Sequence, residues 1–521
     1  MTPPVCTGAH RRALHRHGST RAQAVCACLA GLAIATCTAA SSDTDVARRP
    51  AFEHVQPDLF AASGAQPNAW ADFDRDGDLD LFVGFAGSPD RLYRNDDGIF
   101  IDIAASVGLA GSAAEAETRA AAWGDFDGDG DLDLYLGLVS TAETPVRNRL
   151  YRNDGERFID VAAEMGVGHA GVSRQPSFVD YDGDGDVDLF VAFRDQPNRL
   201  WRNDGGTFTD VTDASGIGDP RRTVGAVWFD ADMDGNLDLF VANQNGDEDG
   251  LFRNLGDGTF RDVAAELGMH QPGRTAGQGS VGVAVADFDN DGDLDLFIAS
   301  YGPDLIWENR GAGAGFVRRS AGTGLEADRH SVAAAAGDFD NDGRVDLYVG
   351  AYLDSIPEYA DALFRNTAQR FEAVTPVAVL QHGASHGVAW ADFDRDGDLD
   401  LALANNNAAG RHPLYRNLLP IADAGQSLQV VVLDAQGRWT RAGAEVRLRD
   451  ARTGAMLGTR LVDTGGGYCS QGAVPAHFGI PPGVEHVHVE VTVMAGGQRE
   501  VTVVKQVRPA VYAGRWLEIR H

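Results

Sequence analysis

Of the 76 acidic residues in this 521-residue chain, 33 sit in seven copies of one short pattern whose spacing suits a hard divalent cation. The first copy holds Asp72, Asp74, Asp76, Asp78 and Asp80, the second Asp125, Asp127, Asp129, Asp131 and Asp133, and the third Asp180, Asp182, Asp184, Asp186 and Asp188. The fourth holds Asp230, Asp232, Asp234, Asn236 and Asp238, and the fifth Asp287, Asp289, Asp291, Asp293 and Asp295. The sixth holds Asp338, Asp340, Asp342, Arg344 and Asp346, and the seventh Asp392, Asp394, Asp396, Asp398 and Asp400. Counted from the first Asp, positions 1, 3, 5 and 9 are always Asp and position 6 is always Gly, whereas position 7 varies. A calcium loop takes carboxylate oxygens from positions 1, 3 and 5, turns sharply on Gly at 6 and uses only the backbone carbonyl at 7. Asn236 and Arg344 are therefore compatible with the pattern. In an EF-hand the last acid comes at position 12, but that position is apolar in all seven copies, so position 9 supplies the closing ligand. A solvated Asp/Gly turn without metal would account for one such loop. Seven sets of mutually repelling carboxylates call for cations.

The elements that hold these loops are strands. Position 9 opens runs such as DLFVGF, DLYLGL and DLFVAF, which are β-branched and aromatic with no helical stripe, so each loop closes a hairpin. The copies recur at intervals of 53, 55, 50, 57, 51 and 54 residues, the period of stacked or radial units. Each period also carries an aromatic-x-Asn strand ending at Asn95, Asn153, Asn203, Asn254, Asn309, Asn366 or Asn417. A Phe strand begins at Phe100, Phe158, Phe208, Phe260 and Phe371, with Phe316 standing alone in the fifth unit. Four strands in each of seven units predict an all-β fold, a seven-bladed β-propeller whose radial closure leaves few sheet edges exposed. The seventh unit lacks its Phe strand while Phe52–Val55 stands unused before the first loop, so the N-terminal strand is expected to close the last blade. After residue 419 the loops stop and alternating runs such as LQVVVLD and HVHVEVTVM predict a small antiparallel β domain.

Residues 1–40 have the layout of a signal peptide, with Arg11, Arg12, Arg16 and Arg21 ahead of the short apolar run Ala22–Thr36. Cys37 closes a sequence like a lipobox, so lipidation at Cys37 and plain cleavage after Ala40 are both open, followed by a polar tether over 41–50. Either route exports the protein, as a periplasmic, secreted or outer-surface lipoprotein form, with a membrane tether only in the last. The formal charge is −32 and falls to −36 without residues 1–36; seven Ca²⁺ would bring it to about −22. That balance disfavours nucleic acid as a partner overall. Four of the five cysteines precede the folded region, which leaves Cys469 with no partner for an internal disulfide.

The repeats over 51–419 resemble the FG-GAP or VCBS family of integrin α-subunit blades, in which such loops lie between the first and second strands of a blade. The resemblance implies calcium ligands at positions 1, 3, 5 and 9; integrin-type propellers load only some blades, so seven loops imply a mainly structural role for the ions. The stretch Gly465–Gln471 with His477–Ile480 resembles the ASPIC/UnbV domain, making 420–521 its counterpart and the whole chain similar to a bacterial relative of the cartilage acidic proteins. That resemblance implies an architecture and no agreed activity.

Segments entering each blade, on the face opposite the calcium hairpins, carry Arg119, Arg174, Arg221, Arg222, Arg329, His330, His382 and His386, with Gln66 in the first unit. A basic ring at a channel mouth would suit an acidic glycan or carboxylate; the alternative is that these groups pair with the abundant Asp or cap strands. Cys469 reads as a buried lone thiol and Gly465–Gly467 as a tight turn, and the chain contains no GxSxG, HExxH or P-loop. The expectation is a non-enzymatic binding or adhesion platform at the cell surface, its ligand a surface glycan or protein. The rival is a polysaccharide lyase in which Arg neutralises a uronate and His330, His382 or His386 abstracts a proton.

Overall fold

The computed structural model describes residues 49–109, 116–319, 322–352, 359–380, 384–407 and 410–521. Cys37, the leader and His382 lie outside the described residues. Residues Arg48–His521 form one compact unit.

The first blade is an antiparallel sheet of Ala65–Ala71, Asp80–Phe85, Arg91–Asp96 and Ile99–Asp102 in chain order. Five further sheets repeat this order, and their innermost strands are Glu117–Gly124, Ser173–Val179, Thr223–Phe229, Gly279–Ala286 and Ser331–Gly337. Phe316 is not isolated: Phe316–Arg319 is the fourth strand of the fifth blade, paired to Leu305–Asn309. The seventh blade has Ser385–Ala391, Asp400–Asn405 and Leu414–Asn417, and Phe52–Val55 completes it, with Phe52 opposite Asn417. Each innermost strand packs on the next, and that of the seventh blade packs on that of the first, so the ring closes. The blade cores are the side chains that the apolar strands turn between sheets, such as Trp70, Phe82 and Phe100 in the first, all fully buried.

A bulge interrupts every innermost strand near its start, for example between Thr118 and Ala120 and between Ser385 and Gly387. Bulges re-aim side chains. Each bulge includes the residue six places before its loop's first Asp: Gln66, Arg119, Arg174, Val224, Val281, Val332 and His386. The channel end away from the loops is thus polar in blades seven, one, two and three, and aliphatic in blades four to six.

The C-terminal residues form two sheets around one aliphatic core. Met456–Leu461, Glu445–Asp450, Val487–Ala495 and Gln498–Val507 are antiparallel, as expected. The other sheet departs from that expectation, because Ser427–Leu433 pairs antiparallel with Ala476–Gly479 but parallel with Leu517–Arg520. The last strand reaches that edge only after the whole second sheet has formed, a crossover that permits parallel pairing.

Candidate metal centres and channel site

All seven loops are built alike. The position-9 Asp opens the second strand and is held at both oxygens: Asp80 accepts from Asn95 N at 2.8 Å and Phe73 N at 3.3 Å, and Asp188 from Asn203 N at 2.8 Å and Tyr181 N at 3.1 Å. In six of the loops the position-1 Asp accepts from the amide of the Gly at 6, as Asp180 does from Gly185 at 3.0 Å; Asp125 of the second loop is the exception. That Gly needs a left-handed backbone, with φ of 94° at Gly77 and 100° at Gly397. The turn brings Asp72, Asp74 and Asp80 to within 4.8 Å of one another, with equivalent groups at Asp125, Asp127 and Asp133 and at Asp180, Asp182 and Asp188. Asp230, Asp232 and Asp234 gather likewise, as do Asp287, Asp289 and Asp291.

These clusters can hold metal ions. The donors are all carboxylate oxygens, which suit a hard cation, and buried oxygens such as Asp72 Oδ1, both of Asp125, Asp182 Oδ1 and Asp394 Oδ1 have no hydrogen-bond donor. Burial pushes the carboxyls of Asp80, Asp133 and Asp188 up to about 9 and that of Asp295 to about 8. Burial first and the neighbouring Asp76 next push Asp72 to about 7. Such groups take up protons unless a cation replaces them.

The recurrent Asn does more than end a strand. Its amide bridges blades: Asn203 Nδ2 donates to Val187 O of its own loop at 2.9 Å and to Phe126 O of the preceding loop at 2.7 Å. Asn153, Asn254, Asn309, Asn366 and Asn417 do the same, and Asn95 reaches Phe393 O at 2.8 Å, joining the first blade to the seventh. The preceding Arg differs among blades. Arg94, Arg152 and Arg202 pair with an Asp two residues on, whereas Arg253, Arg365 and Arg416 are followed by Leu255, Thr367 and Leu418 and turn instead to the position-3 carboxylates Asp232, Asp340 and Asp394. Arg344 at position 7 donates to Asn366 O at 2.8 Å and pairs with Asp342, the position-5 carboxylate of its own loop.

The C-terminal sheets cover the loop face. Arg499 pairs with Asp230, Gln429 Nε2 donates to Asp392, and Gly479 N donates to Asp338 Oδ2 at 3.1 Å. Thr459 Oγ1 donates to Gly292 O at 3.3 Å and Arg438 to Gly128 O at 3.3 Å. From this cover the segment Asp463–Gly472 descends into the channel as a plug. Trp70 N donates to Gln471 O at 3.3 Å, Ala121 N to Cys469 O at 3.3 Å, and Gly467 N to Val283 O at 2.8 Å. Gln175 Nε2 donates to Ser470 O at 3.0 Å and Trp228 N to Thr464 Oγ1 at 3.1 Å. Asp463 accepts the amides of Gly465 and Gly472, which pins both ends of the loop. The glycines are required by the fit: a Cβ on Gly467, whose φ is 68°, would meet Ala334 O at 3.2 Å and Val388 O at 3.4 Å. A cavity of about 170 Å³ remains between the plug and blades four to seven, lined in part by Val283, Ala334, Arg460 and His477.

At the tip, Tyr468 and Cys469 pack on Val224, Val281 and Val332, the aliphatic bulge residues. The polar bulge residues face the other side. His386 Nδ1 lies 3.0 Å from Arg119 Nη1 and 2.9 Å from Gln66 Oε1, and its ring meets Tyr468 edge-on at 5.2 Å and stacks on Tyr352 at 5.8 Å. Burial, then Arg119 and Arg174, hold the imidazole well below its usual range, so it is neutral. Arg119 pairs with Glu117; Arg174 is 3% exposed and donates to Ser173 O at 2.7 Å. Burial raises the Tyr468 phenol despite both guanidinium groups, and pushes the Cys469 thiol up to about 11.

A family model described as an FG-GAP-like repeat matches residues 72–136, 180–241, 230–298, 287–349 and 355–403, more than half of the chain. The chain belongs to the FG-GAP-like repeat family. Within it, cartilage acidic protein 1 of Mus musculus is 33% identical over 251 residues, 46% of this chain and 36% of that protein. The protein of the same name from Homo sapiens is 33% identical over the same shares, so the match spans about a third of these relatives' length. Among solved structures, one of an Agrocybe aegerita lectin recognising non-reducing terminal N-acetylglucosamine has a TM-score of 0.37 at 17% identity, covering 71% of this chain and 94% of that chain. A BBS1N chain solved in complex with ARL6DN has a TM-score of 0.43 at 10% identity, covering 71% and 97%.

Set on the FG-GAP repeats, the expected basic ring is only partly assembled. Arg119, Arg174 and His386 share the bulge register and converge. His330 stands two residues earlier in its repeat and joins through aromatic stacking, on Tyr301 at 4.4 Å. Arg222 does not join: it pairs with Asp247 at 3.1 Å with its side chain 53% exposed. Arg221 is spent on Asp219 and Asp262, and Arg329 lies over Phe364. Position in the repeat, six before the first Asp, separates the converging residues from the others. A basic residue near the strand start does not by itself reach the mouth; the bulge register decides it.

Proposed function

We propose that the chain is an exported, calcium-stiffened β-propeller that serves as a non-enzymatic binding platform at the cell surface, with the plugged channel mouth as its ligand face. The observation that carries this reading is the cover over the loops. Position-1 carboxylates of blades four, six and seven are engaged by Arg499, Gly479 N and Gln429, so ions bound there lie at an interface between sheets. Calcium at such a place holds the cover to the ring. At tenfold its dissociation constant, each filled site would add about 1.4 kcal/mol, roughly 10 kcal/mol for seven. The leader supports export, and Cys37 offers a lipid tether.

The lyase reading has one observation in its favour, the adjacency of Arg119, His386 and Tyr468. Against it, a base that abstracts a proton must titrate near the working pH. Burial raises the Tyr468 phenol and holds the His386 imidazole well below its usual range. Calorimetric calcium titration of the chain, together with melting in calcium and in chelator, tests the platform reading: several sites and a large calcium-dependent rise are expected. No calcium shift would defeat it, and release of unsaturated uronate from acidic polysaccharides would make the protein a lyase.

A further inference from the structure

Among the described residues, the polar half of the mouth gathers more guanidinium than carboxylate charge, on a protein of formal charge −32. Arg174 is 3% exposed, its Nε has no partner, and among the described residues no carboxylate pairs with it. Arg119 and Arg194 stand close enough to repel it. Among the described residues the carboxylate paired with this group is Glu117, through Arg119. A buried guanidinium without a counter-charge is costly, and the bulges that turn Arg119 and Arg174 inward place both at the channel end. Beside them lie side-chain amides, with Asn406 Oδ1 accepting from Gln66 Nε2 at 2.9 Å, and an aromatic wall. Tyr352, 39% exposed, stacks on His386 and lies 5.9 Å from Tyr301.

Building on the platform reading, we propose that this half-mouth is a subsite for an acidic sugar, in which Arg119 and Arg174 take the carboxylate, the amides of Gln66 and Asn406 meet hydroxyls, and Tyr352 presents its ring to the pyranose. A guanidinium fork matches the geometry of a carboxylate, and a flat aromatic beside amides suits a hydroxylated ring more than an extended acidic peptide. The floor of the subsite is Tyr468, which the C-terminal sheets deliver through the channel from the opposite face. The site is therefore made by both parts of the chain, and binding at the mouth depends on the cover being seated over the calcium loops.

The test is isothermal titration of the full, calcium-loaded chain with a galacturonate trimer and with its methyl ester. The acid is expected to bind at least tenfold more tightly than the ester, a comparison that needs no variant. Arg174→Gln should weaken binding of the acid at least tenfold and Tyr468→Ala similarly, whereas Tyr468→Phe, which keeps the floor, and Arg222→Ala, outside the cluster, should change it less than threefold. Equal affinity for acid and ester, or no binding of either, overturns the subsite. An Asp/Glu-rich peptide that binds where the trimer does not overturns the sugar assignment. Arg174 dependence without Tyr468 dependence overturns the two-part site. Melting in calcium and in chelator, run on the same samples, separates these failures from failure of the platform reading, since a retained calcium shift without trimer binding sinks only the subsite.

Discussion

Replacing Asn203 by Asp changes one atom's chemistry at a fully buried inter-blade contact, and its cost follows from the geometry. Asn203 Nδ2 donates to Phe126 O at 2.7 Å and Val187 O at 2.9 Å, while Oδ1 accepts from Gly206 N at 2.8 Å. Asn203→Asp keeps the shape and the accepted bond but sets a carboxylate oxygen against two carbonyl oxygens. Each buried acceptor left unsatisfied costs about 1–3 kcal/mol, so the pair costs about 2–6, and ionisation beside Asp188 adds to it. Against the 5–15 kcal/mol of an ordinary domain, a loss near 4 kcal/mol at neutral pH would be plain in the urea midpoint. Protonating the introduced carboxyl restores one donor, so the deficit should shrink as the pH is lowered. Asn236→Asp is the matched control. It is the same change at loop position 7, where five other copies already have Asp, and should shift stability by less than about 0.5 kcal/mol. A loss below 1 kcal/mol for Asn203→Asp in saturating calcium would refute the claim that this amide holds neighbouring blades together.

Two further outcomes are expected. In chelator the loop carboxyls have folded pKa values above their unfolded ones, about 9 for Asp80, Asp133 and Asp188 and about 6 for Asp125 and Asp180. The folded state then binds more protons than the unfolded state, so the melting temperature of the calcium-free protein should rise as pH falls from 9 towards 5. With calcium bound, protons compete with the ion and the trend should reverse; parallel pH profiles in calcium and chelator would contradict the assignment of these carboxyls to cation sites. Gly282→Ala should dislodge the plug, because the new Cβ would lie 2.6 Å from Val332 O and closer still to Gly467 O. Cys469, buried with its thiol pushed up to about 11, should then label with a thiol reagent at least tenfold faster than in the native protein, as located by peptide mass. Unchanged labelling would mean that the channel tolerates the plug in another position.

The periodic part of the molecule was legible in the chain, and the part that breaks the period was not. Asp and Gly at fixed offsets from Asp72 to Asp400 declare the loops, and the stray strand Phe52–Val55 declares how the ring closes, because both are local patterns repeated in register. The Asn of each third strand was visible as a repeat, but its partner, such as Phe126 O for Asn203, lies 77 residues away and offers no side chain for a pattern to register. The plug is further removed. Ala121 meets Cys469 and Trp228 meets Thr464 through single contacts that occur once, so no period could announce them. Gly465–Gly467 was legible as a turn because glycine reports backbone freedom, while the place of that turn depends on a channel that exists only once seven blades have closed. This order has a functional corollary. A site whose walls come from Arg119, Arg174 and His386 and whose floor comes from Tyr468 cannot exist in the propeller alone. On the proposed reading the last sheets seat on calcium-filled loops, so ligand recognition at one face would depend on ion binding at the other through the segment that runs between them.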